Sequence, residues 1–413
     1  MSGLAALERG SPDLTGGEIM PKYPLAYYRQ LPDIANDETE NILDEMTAEI
    51  ESVYGQAYME MHQKAVEYLA WFQAMDAVKR KLFQDGKITK KEYADWRKNK
   101  LLTGMHWIAM REGLADALVN ADGIAYSIIR DYVPEVYSIN GNWTTYVIEH
   151  ATNINTSFEL YDEQTIERMI RDHPDMLPQP SVNIPLDMRW NKNNINSAVM
   201  QSIIQGESVD ELANRLAAVT DMNQASAIRN AKTATTSAQN GGRQDAYERA
   251  ETFGIVMRKM WLATLDYHTR ASHRRLDGET IGVNEKFSNG LEFPGDSSGL
   301  PAEVYGCRCR MITVFPDQGD LARDPDRFSR LDSRLGSMSY DEWKTAHGTE
   351  KPFKAARNEN RDMRMHDEYR DLLGKKCPRS FDDFQDVKYN HPSKWKQMVS
   401  DARKARNARR RKP

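Results

Sequence analysis

The sequence has 413 residues, 40% of them hydrophobic and 28% charged, which suits two or three domains at roughly 150 residues each. Lys and Arg total 56 against 61 Asp and Glu; the formal net charge of -5 excludes a uniformly basic coat for wrapping nucleic acid. Three cysteines, Cys307, Cys309 and Cys377, are too few and too odd in number for a disulfide scaffold and favour a reducing compartment. The longest run free of Asp, Glu, Lys and Arg, Asn193 to Gly206, is Asn-rich and far short of the ~20 apolar residues a membrane helix needs. Met1 to Gly10 carries Glu8 and Arg9 in place of a basic and then apolar signal, so a soluble, unprocessed chain without a membrane segment is expected.

Residues 1–36 hold Gly16-Gly17 and Pro12, Pro21, Pro24 and Pro32, punctuation that predicts an extended arm. From Asp37 the pattern turns helical: Ile42, Met46, Ile50, Val53, Ala57, Met61, Ala65, Tyr68, Phe72, Met75, Val78 and Leu82 recur about every 3.6 residues, the period of a straight helix. Gly86 supplies a stop, and Thr89-Lys90-Lys91-Glu92 has capping-box form. A second run through Leu101, Met105, Ile108, Leu114, Leu118 and Ile128 ends before Pro134, giving a long helical hairpin over 37–133 with Trp71, Trp96 and Trp107 in its packing. Such an elongated element offers surface to a partner.

Residues 134–186 read as an irregular, mixed connector with one helix from Asp162 to Arg171. Helices return over 187–253, with a second capping box at Ser208-Val209-Asp210-Glu211. Ala227, Ala231, Ala234 and Ala238 would allow close helix approach, and Gly241-Gly242 inside the run predicts a kink or a tight contact. Over 254–316 the pattern becomes short strands and turns: Val256 to Thr264, a short helix capped by Asp266, a tight turn at Asp277-Gly278, Glu279 to Val283, and Arg308 to Phe315. Residues 317–400 are polar, with a helix at Ser339-Tyr340-Asp341-Glu342-Trp343 and weakly ordered pieces, and 401–413 form a basic tail. The fold class is mainly α with a C-terminal α+β module.

The chemistry concentrates between Trp261 and Cys309. Cys307 and Cys309, two apart on a strand, point to one face. Four readings stay open. His273 with Cys307 and Cys309, completed by His268 or Asp277, supplies an N/S set for zinc, although the usual paired spacing is C-x2-4-C. Alternatively the residues form a buried polar network, in which Asp266 caps the short helix, Arg270 pairs with Asp277 and His273 donates to a strand carbonyl. Cys307 as a nucleophile on a His273 base, and a redox pair of the two cysteines, are the other two.

Trp261, Thr264, Asp266, Thr269-Arg270, His273, Leu276-Asp277-Gly278, Phe287 and Gly306-Cys307-Arg308-Cys309 resemble, in order and spacing, the Mu F-like minor head protein domain of tailed bacteriophages. The lead-in helix with Arg229, Ala231, Lys232 and Thr233 is similar to that family's as well, and the resemblance covers about residues 190–315. His268 stands where the family has Arg, and Gly306 where Asn is common. The resemblance implies a virion component inside the head near the portal vertex, assembled in the host cytoplasm. Its implied partners are the portal protein and the scaffold or major capsid protein, and it implies an influence on DNA packaging or delivery. It implies no catalytic residue and no cofactor; the alternative is a metal-dependent nucleic-acid-processing enzyme built on His273, Cys307 and Cys309. Residues after Pro316 hold no Gly-rich phosphate loop or His-Glu-x-x-His.

The tail holds Arg403, Lys404, Arg406, Arg409, Arg410, Arg411 and Lys412 against Asp401, a net +6 that predicts a flexible segment making non-specific, salt-sensitive contact with phosphate. The remaining 400 residues then carry -11.

Overall fold

The computed structural model describes residues 23–102, 104–156, 184–205, 209–315, 334–347 and 359–410, with isolated positions between 158 and 175. Helix α1 (Leu25–Gln30) interrupts the expected extended arm, and residues 1–22 lie outside the described residues. Helix α2 (Ile34–Gln84) begins at Asp33, whose side chain accepts from the Asn36 N–H at 3.1 Å. Its 51 residues span about 76 Å at 1.5 Å each. It stops at Gly86 (φ +69°), where the left-handed backbone costs glycine nothing. The capping box then forms in both directions: the Thr89 N–H donates to Glu92 Oε2 (2.7 Å) and the Glu92 N–H donates to Thr89 Oγ1 (3.2 Å).

The expected second helix is two pieces, α3 (Lys90–Leu102) and α4 (Met105–Thr152), and α4 corrects the expectation that Pro134 ends it. Proline forfeits one backbone N–H and crowds the preceding turn. That local cost is offset because Val133, Pro134, Val136, Tyr137, Ile139 and Trp143 are all buried. Burial, and not local propensity, therefore carries the helix through residues expected to be an irregular connector. Helices α5 (Ile184–Gln205) and α6 (Val209–Thr252) complete the bundle; Ser208 of the second capping box lies outside the described residues. One apolar core joins α2, α4, α5 and α6 through residues such as Met46, Tyr54, Met61, Leu118, Tyr132, Ile195, Leu216 and Ala231. Trp107 is buried there against Tyr68 (5.6 Å between rings), with Trp71 and Trp96 packed beside it, so the tryptophans serve bundle packing. No helix among the described residues is long and apolar enough to cross a membrane.

The paired glycines mark the tight contact. A Cβ on Gly242 would stand 2.3 Å from Tyr137 O, and one on Gly141 would stand 2.5 Å from the Tyr161 ring, so α4 and α6 cross with their backbones nearly touching. No side chain fits between them.

Beyond α6 the chain builds strand β1 (Arg258–Leu262), α7 (Ala271–Arg275), β2 (Thr280–Gly282), α8 (Pro301–Val304) and β3 (Arg310–Val314). The sheet is antiparallel in the order β2-β1-β3, with Arg258 opposite Gly282 and Val314, and Trp261 opposite Met311. Both faces of β1 are covered. Trp261 joins a core with Tyr247, Met257, Phe287 and Met311, whereas Met260, Leu262 and Val314 pack against Tyr28 of α1. Arg29 of α1 donates to Ala263 O (3.0 Å) and pairs with Asp277.

Strand β3 lies at the sheet edge, and α6 closes that edge with side chains. Thr236 Oγ1 donates to Cys307 O (2.7 Å). Asn240 Nδ2 donates to Cys309 O (3.1 Å) while its Oδ1 accepts from the Met311 N–H (2.9 Å). Arg243 Nη1 donates to Met311 O (2.7 Å). Residues 236, 240 and 243 share one helix face, and 307, 309 and 311 share one side of an extended chain, so the two periods match. An exposed sheet edge is a pairing hazard, and this ladder removes it. Arg243, 2% exposed, also donates to Asn140 Oδ1 of α4 (3.0 Å) and to Asp33 Oδ1 at the start of α2 (2.9 Å).

The polar C-terminal region is more ordered than expected. Helix α9 (Tyr340–His347) docks on the end of α4, where buried Glu149 accepts from Trp343 Nε1 (2.7 Å) and lies 2.9 Å from His347 Nε2. Helices α10 (Glu359–Leu373), α11 (Phe381–Asn390) and α12 (Pro392–Arg410) form their own core around Tyr369, Phe384 and Trp395. This cluster folds back onto α2: Lys388 Nζ lies 3.0 Å from Glu45 Oε2 and 2.9 Å from Asp362 Oδ1, and Trp395 Nε1 donates to Glu45 Oε1 (2.5 Å).

Two substitutions at helical glycines test the crossing. Gly242→Ala is expected to lower stability by about 2 kcal/mol or more, since backbone must move, whereas Gly55→Ala in α2, with nothing within 4 Å of its Cβ, is expected to raise it by up to about 1 kcal/mol. Urea unfolding of both variants against the parent reads the difference. Asn240→Ala strands the Met311 N–H and the Cys309 carbonyl, so a loss of about 2–4 kcal/mol is expected in the same measurement. An unchanged midpoint would mean that the edge is satisfied by other means.

Candidate functional site

The Trp261–Cys309 segment folds so that its motif residues serve two clusters. In the first, α7 carries His273 inward, and the residues just before β3 carry Cys307 and Cys309 to meet it. His273 Nδ1 lies 3.6 Å from Cys307 Sγ and 3.5 Å from Cys309 Sγ, and the three residues are 1–2% exposed. The Cys309 N–H donates to Cys307 Sγ (3.4 Å). On the far side of the ring, His273 Nε2 lies 3.0 Å from Glu303 Oε2 of α8, out of line for a full hydrogen bond. The Trp261 and His273 rings meet edge to face at 5.1 Å, and Phe287 closes the other side of Trp261 at 5.0 Å.

The two thiols share their protons unequally. Cys307 hydrogen-bonds Cys309, which holds Cys309 below the usual thiol range and pushes Cys307 above it; burial adds to the rise at Cys307, and His273 adds to the fall at Cys309. A small cavity of about 20 Å³ borders the cluster, lined by Thr264, His268, Thr269 and Arg308 among others. Both sulfurs are free thiols, as is buried Cys377, which sits apart in the C-terminal helical core.

The second cluster clamps the loop after β1. Asp266 does not cap the short helix; Arg270 takes the N-cap position, without a side-chain cap bond. Asp266 instead accepts from Arg308 Nη1 (2.7 Å) and Nη2 (2.8 Å) and from the His268 N–H (2.9 Å), and the Arg308 bonds hold its carboxyl well below the usual carboxylate range. Thr269 precedes α7, and its hydroxyl donates to Thr264 O and lies 3.0 Å from Asp266 Oδ1. The expected Arg270–Asp277 pair is also corrected. Arg270 donates to Glu303 O (2.7 Å) and to Tyr305 O, while Asp277 accepts from the Ala263 N–H (2.9 Å) and pairs with Arg29. The Arg270 guanidinium reaches both carbonyls at once because its donors form a fixed fork. His273 likewise faces two sulfurs and not a strand carbonyl. Gly278 adopts φ +86°, as its tight turn requires.

Of the residues offered to complete a metal set, Asp277 is committed elsewhere, and His268 is exposed at the rim of the small cavity, its ring tilted against Tyr267 (3.9 Å). Sequence reasoning missed Glu303, which reaches the cluster from a four-residue helix with no periodic signal. It also missed Lys259. This lysine lies on β1 two residues from Trp261, fully buried, with Nζ donating to Gln244 Oε1 (3.1 Å), and burial pulls it down to about 8.

The basic tail is not a free arm through residue 410. Within α12, Arg403 pairs with Glu51 (3.1 Å), Arg406 with Glu368 (2.5 Å) and Arg409 with Asp371, so three of its cations are matched by carboxylates. Lys404 is exposed; Arg411 and Lys412 lie outside the described residues, and of Arg410 only the helical backbone is described.

Residues 193–312 match the family described as Phage Mu protein F like protein. The minor head protein GP7 of Bacillus phage SPP1 is 28% identical over 210 residues, 48% of this chain and 65% of that protein. The NAD(+)–arginine ADP-ribosyltransferase EFV of Enterococcus faecalis is 29% identical over 211 residues, 49% of this chain and 41% of that protein. The chain thus matches less than two thirds of the length of either relative, and no solved structure matches it significantly. Helix α6, both clusters and the sheet up to Ile312 of β3 fall inside the matched span, so residues 193–312 are the part of the chain that is similar to the Phage Mu protein F like family.

Proposed function

We propose that the protein is a minor head protein of a tailed phage that works by binding: it joins the head near the portal vertex during assembly in the host cytoplasm and stays in the virion. The observation that carries this reading is the Mu F-like span of residues 193–312 together with the likeness to the SPP1 minor head protein. The hairpin is the surface offered to the portal. Past Asp76 no described side chain is buried until Trp107, so residues 77–106 project beyond the bundle core. Stacked rings of Phe83, Tyr93 and Trp96 keep this end in shape. It carries nine basic and three acidic residues, with Lys81, Lys87, Lys90, Lys91 and Lys98 exposed. Such a tip fits an acidic patch on the portal, or on a scaffold or major capsid subunit beside it, and steers the encounter.

Contact with packaged DNA falls to Lys404 and to Arg410, Arg411 and Lys412, since Arg403, Arg406 and Arg409 hold carboxylates of this chain. The competing reading, an enzyme processing nucleic acid at His273, Cys307 and Cys309, fits poorly. These side chains are buried and border a cavity of about 20 Å³, room for one water and not for a nucleotide. Arginine ADP-ribosylation belongs to the name of the enterococcal relative and is not proposed for this chain.

Capture of the portal protein of the same phage is the direct test. The full chain is expected to retain it, and Lys87→Glu, Lys90→Glu, Lys91→Glu and Lys98→Glu together are expected to weaken capture at least tenfold. Undiminished capture by the quadruple variant would remove the hairpin from the interface, and no capture by the parent would remove the portal as partner. Incubation with labelled NAD and an arginine-bearing acceptor is expected to give no transfer; transfer would overturn the non-enzymatic reading.

A further inference from the structure

We propose that His273, Cys307 and Cys309 bind a zinc ion that pins α7 to the residues leading into β3. Zinc stands about 2.3 Å from thiolate sulfur and 2.0–2.1 Å from imidazole nitrogen, so in a tetrahedral site an N–S edge measures about 3.6 Å. The two Nδ1–Sγ separations here are 3.6 and 3.5 Å, and the three donor atoms all lie within 4.8 Å of one another. Both nitrogen–sulfur separations already match the edge of a zinc tetrahedron.

The surroundings suit the ion as well as the donors do. The remaining ring nitrogen of His273 lies 3.0 Å from the Glu303 carboxylate, which is close enough to become, once aligned, the outer partner of a histidine bound to metal through Nδ1. The Cys309 N–H donates to Cys307 Sγ, a bond that strengthens as the sulfur gains negative charge. Arg270, held by the carbonyls of Glu303 and Tyr305, places a cation near the pair. Two soft sulfurs and an imidazole select zinc over magnesium or calcium, which prefer oxygen. The cavity of about 20 Å³ beside the cluster leaves room for a water as fourth ligand.

The ion would cross-link positions 34 and 36 residues apart, spanning the part of the module with the least regular structure. Its role is to fix the loop between α7 and β3, and loss of the metal is expected to loosen that loop before the bundle. The site needs Cys307 and Cys309 both as free thiols, which separates it from a Cys307–Cys309 disulfide.

The test uses the full chain, made without a histidine tag under reducing conditions with zinc in the medium. Elemental analysis is expected to find one zinc per chain, and stripping it with a chelator is expected to lower the melting temperature. Adding Co2+ to the stripped protein is expected to produce a thiolate-to-cobalt charge-transfer band. His273→Ala and the Cys307→Ser/Cys309→Ser pair are expected to retain less than a tenth of the metal, while Cys377→Ser retains all of it. If the cysteine variants fail to fold, the cobalt band of the parent protein decides. Absence of both zinc and the cobalt band, full metal content in the Cys307→Ser/Cys309→Ser protein, or a single titratable thiol in the parent would each overturn the assignment.

Discussion

Arg243 is the point at which the parts of this molecule meet. One buried guanidinium donates to Asn140 in α4, to Met311 in β3 and to Asp33 at the start of α2. A buried cation is costly unless paired and hydrogen-bonded, and here Asp33 supplies the charge while Asn140 and Met311 take two further donors. Burial alone would push the Asp33 carboxyl up; Arg243 and Arg310 overcome it and hold it below the usual carboxylate range. The arrangement demands that α4 and α6 approach closely, which Gly141 and Gly242 permit. It also demands that β3 run alongside α6, which Thr236 and Asn240 enforce. Bundle and module are thereby one object.

The position of the cysteine cluster follows from that constraint. Cys307 and Cys309 contribute their carbonyls to the ladder from α6, which turns their side chains toward α7 and His273. Arg270 and Arg308 then secure the two ends of the loop around them. The Mu F-like motif reads, on this geometry, as a set of residues that fasten an irregular chain in place. Asp266, Thr269, Arg270 and Asp277 each bond backbone groups of this loop, and Arg308 and Arg29 pair with the two carboxylates.

What the sequence made legible was periodic or punctuated. The capping box at Thr89, the stop at Gly86 and the turn at Gly278 rest on local chemistry and appear as read, and the apolar repeat of α2 is buried or half-buried up to Phe72, whereas Met75 and Val78 are exposed. The glycine pair in α6 was readable as a tight contact because glycine inside a helix needs compensation. Pro134 misled because its local cost is set against burial by distant residues, which no local rule reports. The ladder was hidden for a similar reason: Thr236, Asn240 and Arg243 look like a solvated helix face until the strand they serve is known. The pairings of Arg270 and Asp277 were misassigned within the right cluster, since sequence order does not say which acceptor a fork of donors will meet. The tail's charge was read correctly as composition and wrongly as a free arm, because its partners Glu51, Glu368 and Asp371 lie far away in sequence.

The central claim is that the polar face of α6 holds β3, so that helix and sheet share one stability. Native-state hydrogen exchange reads it directly at the Met311 amide, whose acceptor is the Asn240 side chain and not a neighbouring strand. The prediction is that this edge-strand amide exchanges as slowly as the α6 amides around residue 240 and is released with them as denaturant rises. Fast exchange at Met311 beneath a still-protected α6 would contradict it, and would make the module an appendage to the bundle.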